Sequence, residues 1–283
     1  MSFDDLLGRE ATLRLVRFGS PGAFFEVEAG SPSLVLLPGA EVPEGAAVDD
    51  AIPLFLYLDS EDRPIATTRS PRITLGEVAF LRVTDVTRFG AFVDWGLAKD
   101  LLVPFAEQTR DVRVGDRHPV GLYVDDTGRL AGTMRVAEML DEARAGDFAQ
   151  DEWASGESWR LEPGIGTFVI LERRFVGMIP ADEPHSLSRG EAARFRVTHV
   201  HPDGKIELSL RGHAHEERDA DAARVMAYLG RANAAPIGDR SSPEAIRGAV
   251  GLSKKAFKRA AGALLRSGEA RIDGQGFLVL ARR

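Results

Sequence analysis

The chain reads Phe89-Gly90-Ala91-Phe92-Val93-Asp94-Trp95 and, after a short gap, Leu101-Leu102-Val103-Pro104. Successive side chains of a strand point to opposite faces, so Ala91, Val93 and Trp95 share one face while Phe92 takes the other. Small and branched side chains suit the interior of a narrow barrel. We therefore expect Phe92 to lie outside, and Phe89, just before the glycine, to share that outer face.

The same order of landmarks occurs three times along the 283 residues. The other two copies begin at Gly22-Ala23-Phe24-Phe25 and Gly166-Thr167-Phe168-Val169. In each copy a proline ends an apolar run 14 to 16 residues after the first glycine, and a turn glycine follows. These residues are Pro38, Pro104 and Pro180, and Gly45, Gly115 and Gly190. Each copy closes with a segment whose ends lie 12 residues apart, at Tyr57 to Arg69, Tyr123 to Arg135 and His199 to Arg211. Repetition of this kind indicates three copies of one structural unit, and the domains are assigned from it.

Each copy predicts five short strands of alternating polarity, separated by turns such as Asp125-Asp126-Thr127-Gly128. Five antiparallel strands in about 60 residues match a small Greek-key barrel of OB type. The predicted fold class is mainly β, with three tandem five-stranded barrels before an α+β C-terminal domain. The predicted domains are an acidic, divergent barrel at 1–71, a second barrel at 72–136, a linker helix and third barrel at 137–212, and a winged helix at 213–283.

Two regions outside the strands have helical patterns. Ala137 to Phe148 contains good helix formers and predicts the short linker helix. After the third barrel the pattern predicts three helices and a hairpin, which is the order of a winged helix. These helices are expected at Asp221 to Asn233, from the Ser242-Pro243 cap to Val250, and from the Ser253 cap to Ser267, with hairpin strands at Ala270 to Ile272 and Phe277 to Leu280.

The last predicted helix separates basic from apolar residues. At 100° per residue its cations fall in an arc of about 140°, and Phe257, Ala260 and Leu264 fall on the other side. In a helix-turn-helix the second helix of the pair contacts nucleic acid, and this helix has that position. The cations of this basic face are Lys254, Lys255, Lys258, Arg259 and Arg266.

Net charge is −7, but it is unevenly distributed. Residues 242–283 carry nine Lys or Arg and three Asp or Glu, a charge of +6, so the remainder carries −13. A basic end on an acidic body suggests a nucleic-acid contact. The first copy, with 5 basic and 10 acidic residues from Gly8 to Pro71, is the least suited to face phosphates.

Proteins that bind single-stranded nucleic acid use exposed rings to stack on bases, beside cations that attract phosphates. Phe89 and Phe92 are the predicted stacking rings, and Phe168 is the equivalent of Phe92 in the third copy. Lys99 and Arg135 are expected to approach the backbone of the bound strand. An alternative explanation for the phenylalanines is packing against a neighbouring domain.

The segment Phe89-Gly90-Ala91-Phe92-Val93, followed by Lys99-Asp100-Leu101-Leu102-Val103-Pro104, resembles the S-one domain, an RNA-binding OB module. Three such repeats before Ser253-Lys254-Lys255-Ala256-Phe257-Lys258-Arg259-Ala260 resemble the bacterial conserved virulence factor B family. The resemblance covers nearly the whole chain. It implies three S-one domains, a winged helix, RNA binding and a link to post-transcriptional regulation.

All three copies depart from the S-one pattern at one position. A histidine that helps bind RNA in that pattern is replaced here by the proline that ends the third strand. The aromatic before the glycine is present only as Phe89, whereas the second aromatic is present in every copy. The second barrel is therefore the predicted RNA-binding barrel, the third a weaker one, and the first mainly a support.

The sequence has no cysteine, no phosphate-loop motif, no Gly-x-Ser-x-Gly elbow and no third glycine after Gly164-Ile165-Gly166. His199-Val200-His201 and His213-Ala214-His215 have spacings that suit two metal ligands, but no third ligand accompanies either pair. We expect no catalytic residue, no cofactor and no metal.

The sequence also lacks membrane signals. Its start, Met1-Ser2-Phe3-Asp4-Asp5, is acidic, and no stretch approaches about 18 apolar residues. The lack of cysteine fits a reducing compartment. We expect a soluble cytoplasmic protein with no membrane partner.

The predicted function is non-catalytic binding of single-stranded RNA by the second barrel and the basic face. Three alternatives remain open. The winged helix could read duplex DNA in a transcription regulator, and the chain could be an RNA-processing enzyme or a subunit of one. The acidic body also suits a protein-interaction scaffold.

Overall fold

The computed structural model describes residues 2–28, 30, 33–211, 214–231 and 234–281, with the backbone alone for 214–220. The chain divides into two compact units, Met1–Ser209 and Leu210–Arg283. The predicted helix end at Ala232 and Asn233 lies outside the described residues. So does His213, and the side chain of His215 is not described.

The first unit consists of three five-stranded barrels with one strand order, which confirms the predicted fold class. In each barrel the first strand pairs with the second and the fourth, the second with the third, and the fourth with the fifth. Parallel pairing of the third and fifth strands closes the first and third barrels. After helix α1 (Phe3–Leu6) the strands are β1 (Glu10–Gly19), β2 (Gly22–Glu26), β3 (Leu34–Pro38), β4 (Ala51–Leu58), β5 (Pro64–Thr67), β6 (Val78–Thr87), β7 (Gly90–Asp94), β8 (Leu101–Pro104), β9 (Arg117–Val124), β10 (Leu130–Thr133), β11 (Trp153–Glu162), β12 (Gly166–Leu171), β13 (Phe175–Pro180), β14 (Ala192–Val200) and β15 (Ile206–Ser209).

The glycine and the proline that mark each copy in the sequence are direct partners across the second and third strands. Gly90 has φ +151°, and a Cβ atom added there would lie 2.2 Å from the carbonyl oxygen of Val103. The equivalent distances in the other barrels are 2.0 and 2.1 Å. Only glycine lets the two backbones approach this closely. The partners are Gly22 with Pro38, Gly90 with Pro104 and Gly166 with Pro180.

Aromatic rings join the first and second barrels. The buried Trp95 ring lies edge-on to Phe55 at 5.7 Å and to Tyr57 at 6.4 Å between ring centroids. Its Nε1 donates to the carbonyl of Lys99 at 2.6 Å. The apolar face predicted for Trp95 is therefore confirmed, and this ring also packs on the neighbouring barrel.

The second and third barrels share an apolar cluster because β6 is buried on both faces. Leu81 and Val83 belong to the core of the second barrel, whereas Val78 and Phe80 pack in a separate cluster with Ile170 of the third barrel. A strand with two buried faces reads as a continuous apolar run rather than an alternating one. This explains why polarity does not alternate in residues 78–81.

Polar contacts fix the same junction. Arg117 donates to the carboxylate of Glu157 and to the carbonyls of Phe80 and Gly190, each at 3.1 Å. Gly190, at φ +77°, lies so close to the Phe80 ring that an added Cβ atom would come within 2.8 Å of it. Apolar, ionic and backbone contacts together hold these two barrels in one arrangement.

The predicted linker helix at Ala137 to Phe148 is wrong. The segment contains only the end of a 3₁₀ turn, Val136–Glu138, followed by turns and one isolated bridge. Two of its backbone N–H groups bond to the third barrel: Asp141 donates to the Arg174 carbonyl at 2.9 Å and Ala143 to the Gly204 carbonyl at 3.1 Å. Because backbone groups must be paired, these tertiary bonds override the helix propensity of the segment.

The second unit has the predicted winged-helix order. The hydroxyls of Ser242 and Ser253 accept backbone N–H groups at the starts of two helices, and Gly251 and Gly268 end them in the left-handed conformation. The first helix begins at Ala214, seven residues before the predicted start. The sequence did not reveal its first two turns, because they are polar and lack apolar periodicity. In the part of the chain that the structure describes, no helix is long and apolar enough to cross a membrane. The elements are α2 (Ala214–Leu229), α3 (Pro243–Val250), α4 (Lys254–Ser267), β16 (Ala270–Ile272) and β17 (Leu278–Leu280).

The substitution Gly90→Ala should destabilise the second barrel by about 2 to 5 kcal/mol, because it adds a backbone clash to an unfavourable φ. Gly128→Ala is the matched control, since Gly128 has φ +81° but no atom within 4 Å of an added Cβ. That control should cost only about 1 kcal/mol. Urea unfolding of both variants measures the difference. Equal losses would show that the close approach to Val103 is unimportant.

Candidate nucleic-acid interface

Two aromatic rings of the second barrel are exposed beyond the end of the β7–β8 ladder. Phe89 is 60% exposed and Phe105 is 54% exposed. These two phenylalanines flank the Gly90–Pro104 pair in the chain, just outside β7 and β8. The guanidinium of Arg88 lies 4.7 Å from the centroid of the Phe89 ring. This end of the barrel therefore offers two rings for stacking and one cation.

Phe105 was missed by the sequence reasoning. It follows Pro104 and belongs to a 3₁₀ turn, Phe105–Glu107, so no alternating pattern assigns it a face. The register of Gly90 with Pro104 is what places it at the same end of the β7–β8 ladder as Phe89. The only feature of the sequence that could have pointed to Phe105 is its position directly after the recurring proline.

Phe92 lies on the outer face, as predicted. Its side chain is half-buried, whereas Ala91, Val93 and Trp95 are buried. Phe168 is half-buried in the same way on the third barrel. The predicted direction of these rings is confirmed, although their role in binding stays a prediction.

A register shift in the first strand of each barrel decides which residue faces the central phenylalanine. The shifts fall at Leu15/Arg17, Val83/Asp85 and Ser158/Arg160. A bulge of this kind re-aims the next side chain. The facing pairs are Arg17 with Phe24, Asp85 with Phe92 and Arg160 with Phe168.

The first and third barrels therefore carry a cation on the central ring. The guanidinium of Arg17 lies 3.9 Å from the Phe24 centroid, and that of Arg160 lies 4.7 Å from the centroids of both Phe168 and Trp159. Cation–π contact at these distances orients the guanidinium. The outer face of the first barrel thus has the same arginine–phenylalanine pair as that of the third. The expectation that the first barrel is mainly a support stays a prediction.

The second barrel instead carries carboxylates near its central ring. Asp85 accepts from the backbone N–H of Val86, and Asp100 accepts from the hydroxyl of Thr84, both at 2.8 Å. These bonds occupy the carboxylates but leave their negative charge. The outer face of the second barrel is therefore suited to contact bases through its rings more than phosphates through its charges.

The two cations predicted to meet the bound backbone already have protein partners. Lys99 donates from Nζ to the carbonyl of Asp59 at 2.8 Å, which ties the second barrel to the first. Arg135 donates to the carbonyl of Ala106 at 3.0 Å, and its Nε lies 4.0 Å from Glu107. Both side chains remain exposed.

The basic face of α4 forms as predicted. Phe257, Ala260 and Leu264 are buried on one side of the helix. On the other side Lys255, Lys258, Arg259 and Arg266 are exposed, and Lys254 is half-buried.

One cation of this face is already paired. Lys258 donates to Asp239 at 2.7 Å, and this bond is the largest cause that lowers the pKa of Asp239. Lys254 adds a smaller effect of the same sign. Asp239 therefore partly neutralises the basic face.

The histidine pair of the third barrel lies together without further ligands. The rings of His199 and His201 are 4.5 Å apart between centroids, and His201 lies 3.7 Å from Glu207. Within the described ranges, no group of three His, Cys, Asp or Glu side chains comes close enough to hold a metal ion.

Three OB-type barrels and a winged helix define a multidomain protein built from nucleic-acid-binding domain types. A family model described as "S1 domain" matches residues 7–69 and 75–135, and one described as "CvfB-like winged helix domain" matches residues 223–277. The third barrel lies outside these matches but has the same strand order.

Relatives match the chain along most of its length. Uncharacterized protein YitL of Bacillus subtilis is 31% identical over 246 residues, which cover 83% of this chain and 82% of that protein. Conserved virulence factor B of Staphylococcus epidermidis is 28% identical over 272 residues, which cover 92% of this chain and 90% of that protein. The chain belongs to the conserved virulence factor B family, which confirms the resemblance found in the sequence.

A solved structure also aligns with the chain. It is a crystal structure of a multidomain protein with nucleic acid binding domains from Streptococcus pneumoniae. The alignment covers 98% of this chain and 99% of that one, with 26% identity and a TM-score of 0.44.

The substitution Asp239→Asn should strengthen the binding of single-stranded nucleic acid several-fold at low salt, because it releases Lys258 for a phosphate. One added phosphate contact should also steepen the dependence of log affinity on log salt by about 0.7. Fluorescence anisotropy over a salt series measures both effects. Glu244→Gln removes an equal charge from the first turn of α3 and serves as the control. An identical response of the two variants would contradict a specific role for the Asp239–Lys258 pair.

Proposed function

We propose that this protein binds single-stranded RNA without catalysing a reaction on it, and that it acts as a post-transcriptional regulator in the cytoplasm. The observation that carries the proposal is the pair of exposed rings, Phe89 and Phe105, at the end of the second barrel's outer face. Exposed aromatic rings at one end of a barrel are suited to a partner that covers them. Unstacked bases are partners of matching shape and chemistry.

Single strands suit this surface better than duplexes. Bases must be splayed apart to stack on protein rings, and only an unpaired strand presents them without a cost in base pairing. The half-buried Phe92 extends the same face, and Arg88 beside Phe89 adds a cation at its edge.

The basic face of α4 supplies a second attraction. Lys255 and Arg259 are exposed, and neither has a partner among the described residues. Phosphate contacts supply affinity independent of base sequence and weaken as salt rises. In this proposal the barrels hold bases and the winged helix adds affinity for the backbone.

The double substitution Phe89→Ala and Phe105→Ala should weaken binding of a mixed-sequence single-stranded RNA by at least about tenfold. Each lost stacking contact is worth about 1 to 3 kcal/mol. Fluorescence anisotropy with end-labelled RNA measures the loss. Both side chains are exposed, so thermal unfolding should change little.

Val114→Ala is the matched control for this experiment, because Val114 is 61% exposed in the turn before β9 of the same barrel. It should leave the affinity unchanged. A ring variant that binds RNA within twofold of the unchanged protein would remove the basis of the proposal.

The second candidate is a transcription regulator that reads duplex DNA with α4. The observation that favours it is the exposed basic face on the second helix of a helix-turn-helix. Direct readout of a major groove would place side chains of this helix against base edges.

A competition experiment separates the two candidates. Labelled single-stranded RNA is bound to the protein and then displaced by an unlabelled competitor. Unlabelled RNA should displace it at a concentration at least about tenfold lower than the concentration of duplex DNA of equal length that is needed. The reason is that stacking adds affinity that the duplex cannot use. More effective displacement by duplex DNA, abolished by Lys255→Ala with Arg259→Ala, would favour the transcription regulator.

A further inference from the structure

A groove of about 560 Å³ runs between the second and third barrels. It lies at the junction that Arg117, Glu157 and Gly190 hold in place, so its walls are fixed with respect to each other. Four arginines and one acidic residue line it. The charged lining residues are Arg110, Arg135, Glu138, Arg160 and Arg189. The groove is therefore strongly positive within a part of the chain that is net negative.

Two of these arginines have no acidic partner in the part of the chain that the structure describes. Arg110 is exposed and makes no hydrogen bond or ion pair with any residue that the structure describes. Arg189 lies over the Phe80 ring at 5.0 Å and has one long bond, 3.4 Å, to the carbonyl of Arg117.

Arg110 and Arg189 are close enough to repel each other. Burial is the larger cause that lowers the pKa of Arg189, and the charge of Arg110 adds to it. The same two charges also lower the pKa of the buried His118, again behind burial, although the Asp116 carboxylate opposes them. An anion between the two guanidinium groups would remove this repulsion.

The other two arginines lie on the two sides of the groove. Arg135 follows the last strand of the second barrel, where its bond to Ala106 holds the side chain. Arg160 belongs to the third barrel, where the Glu162 carboxylate at 3.2 Å and the rings of Trp159 and Phe168 hold its guanidinium. The positive path therefore continues from the outer face of one barrel to the outer face of the next.

We infer that this groove is a phosphate-binding site that carries one RNA strand from the second barrel to the third, with Arg110 and Arg189 as its central contacts. The inference rests on the proposed function, since it names the route of the same ligand. A guanidinium pair matches consecutive phosphates in charge and in hydrogen-bond geometry. The two barrels then bind one continuous RNA strand. Two barrels that bound RNA independently would need no phosphate site between them.

The test combines a double substitution with chemical protection. Arg110→Ala with Arg189→Ala should weaken binding of a mixed-sequence RNA of about 24 nucleotides, long enough for two OB folds, by about tenfold or more. The slope of log affinity against log salt should fall by about 1.4, or 0.7 for each lost contact. Arg9→Ala with Arg113→Ala removes two exposed side chains of the same unit that have no partner among the described residues, and it should change both quantities much less.

Protection of the unchanged protein avoids any effect of substitution on folding. Bound RNA should reduce modification of Arg110 and Arg189 by phenylglyoxal, while Arg9 and Arg113 remain equally reactive. Failure of the unchanged protein to bind RNA would overturn the proposed function itself. The groove inference alone would be overturned if the unchanged protein bound RNA normally, if Arg110 were not protected, and if both double variants lost equal affinity.

Discussion

The close approach of two backbones at the Gly90–Pro104 pair is the constraint on which the barrels depend. The second and third strands can meet there only because no Cβ atom intervenes, and the proline ends the strand without leaving a backbone donor unpaired. Gly22 and Gly166 repeat the arrangement. This single contact sets the register of the outer face, and the register in turn places Phe89 and Phe105 at the same end of the β7–β8 ladder.

The bulge in the first strand of each barrel gives the three copies different surfaces on one scaffold. The shift turns Arg17, Asp85 or Arg160 toward an otherwise equivalent phenylalanine. A cation on the ring makes that face attractive to phosphates, whereas a carboxylate makes it less so. The barrels of this family member therefore share a fold and differ in the chemistry at one position.

The junction between the second and third barrels adds a property that no single barrel has. Phe80 would be an exposed ring on an isolated second barrel, but here it packs on the third barrel and supports Arg189. Packing at the junction thus buries an apolar strand face and places Phe80 under an arginine of the positive groove. The same contacts draw residues 137–148 away from a helix.

The sequence by itself determined the number of barrels, the five strands of each, the winged helix and its basic face. It could do so because these features depend on local rules: alternation along strands, glycine at a close approach, serine at helix starts and glycine at helix ends. It also determined the direction of Phe92 and Phe168. The tertiary structure decided what each of those rings meets. Register, register shifts and contacts between barrels determine the positions of Phe105, Arg17, Arg110 and Arg189. Those contacts join residues distant in the chain, so no periodic pattern records them. The linker was misjudged for the same physical reason, since its hydrogen-bond partners lie in another domain.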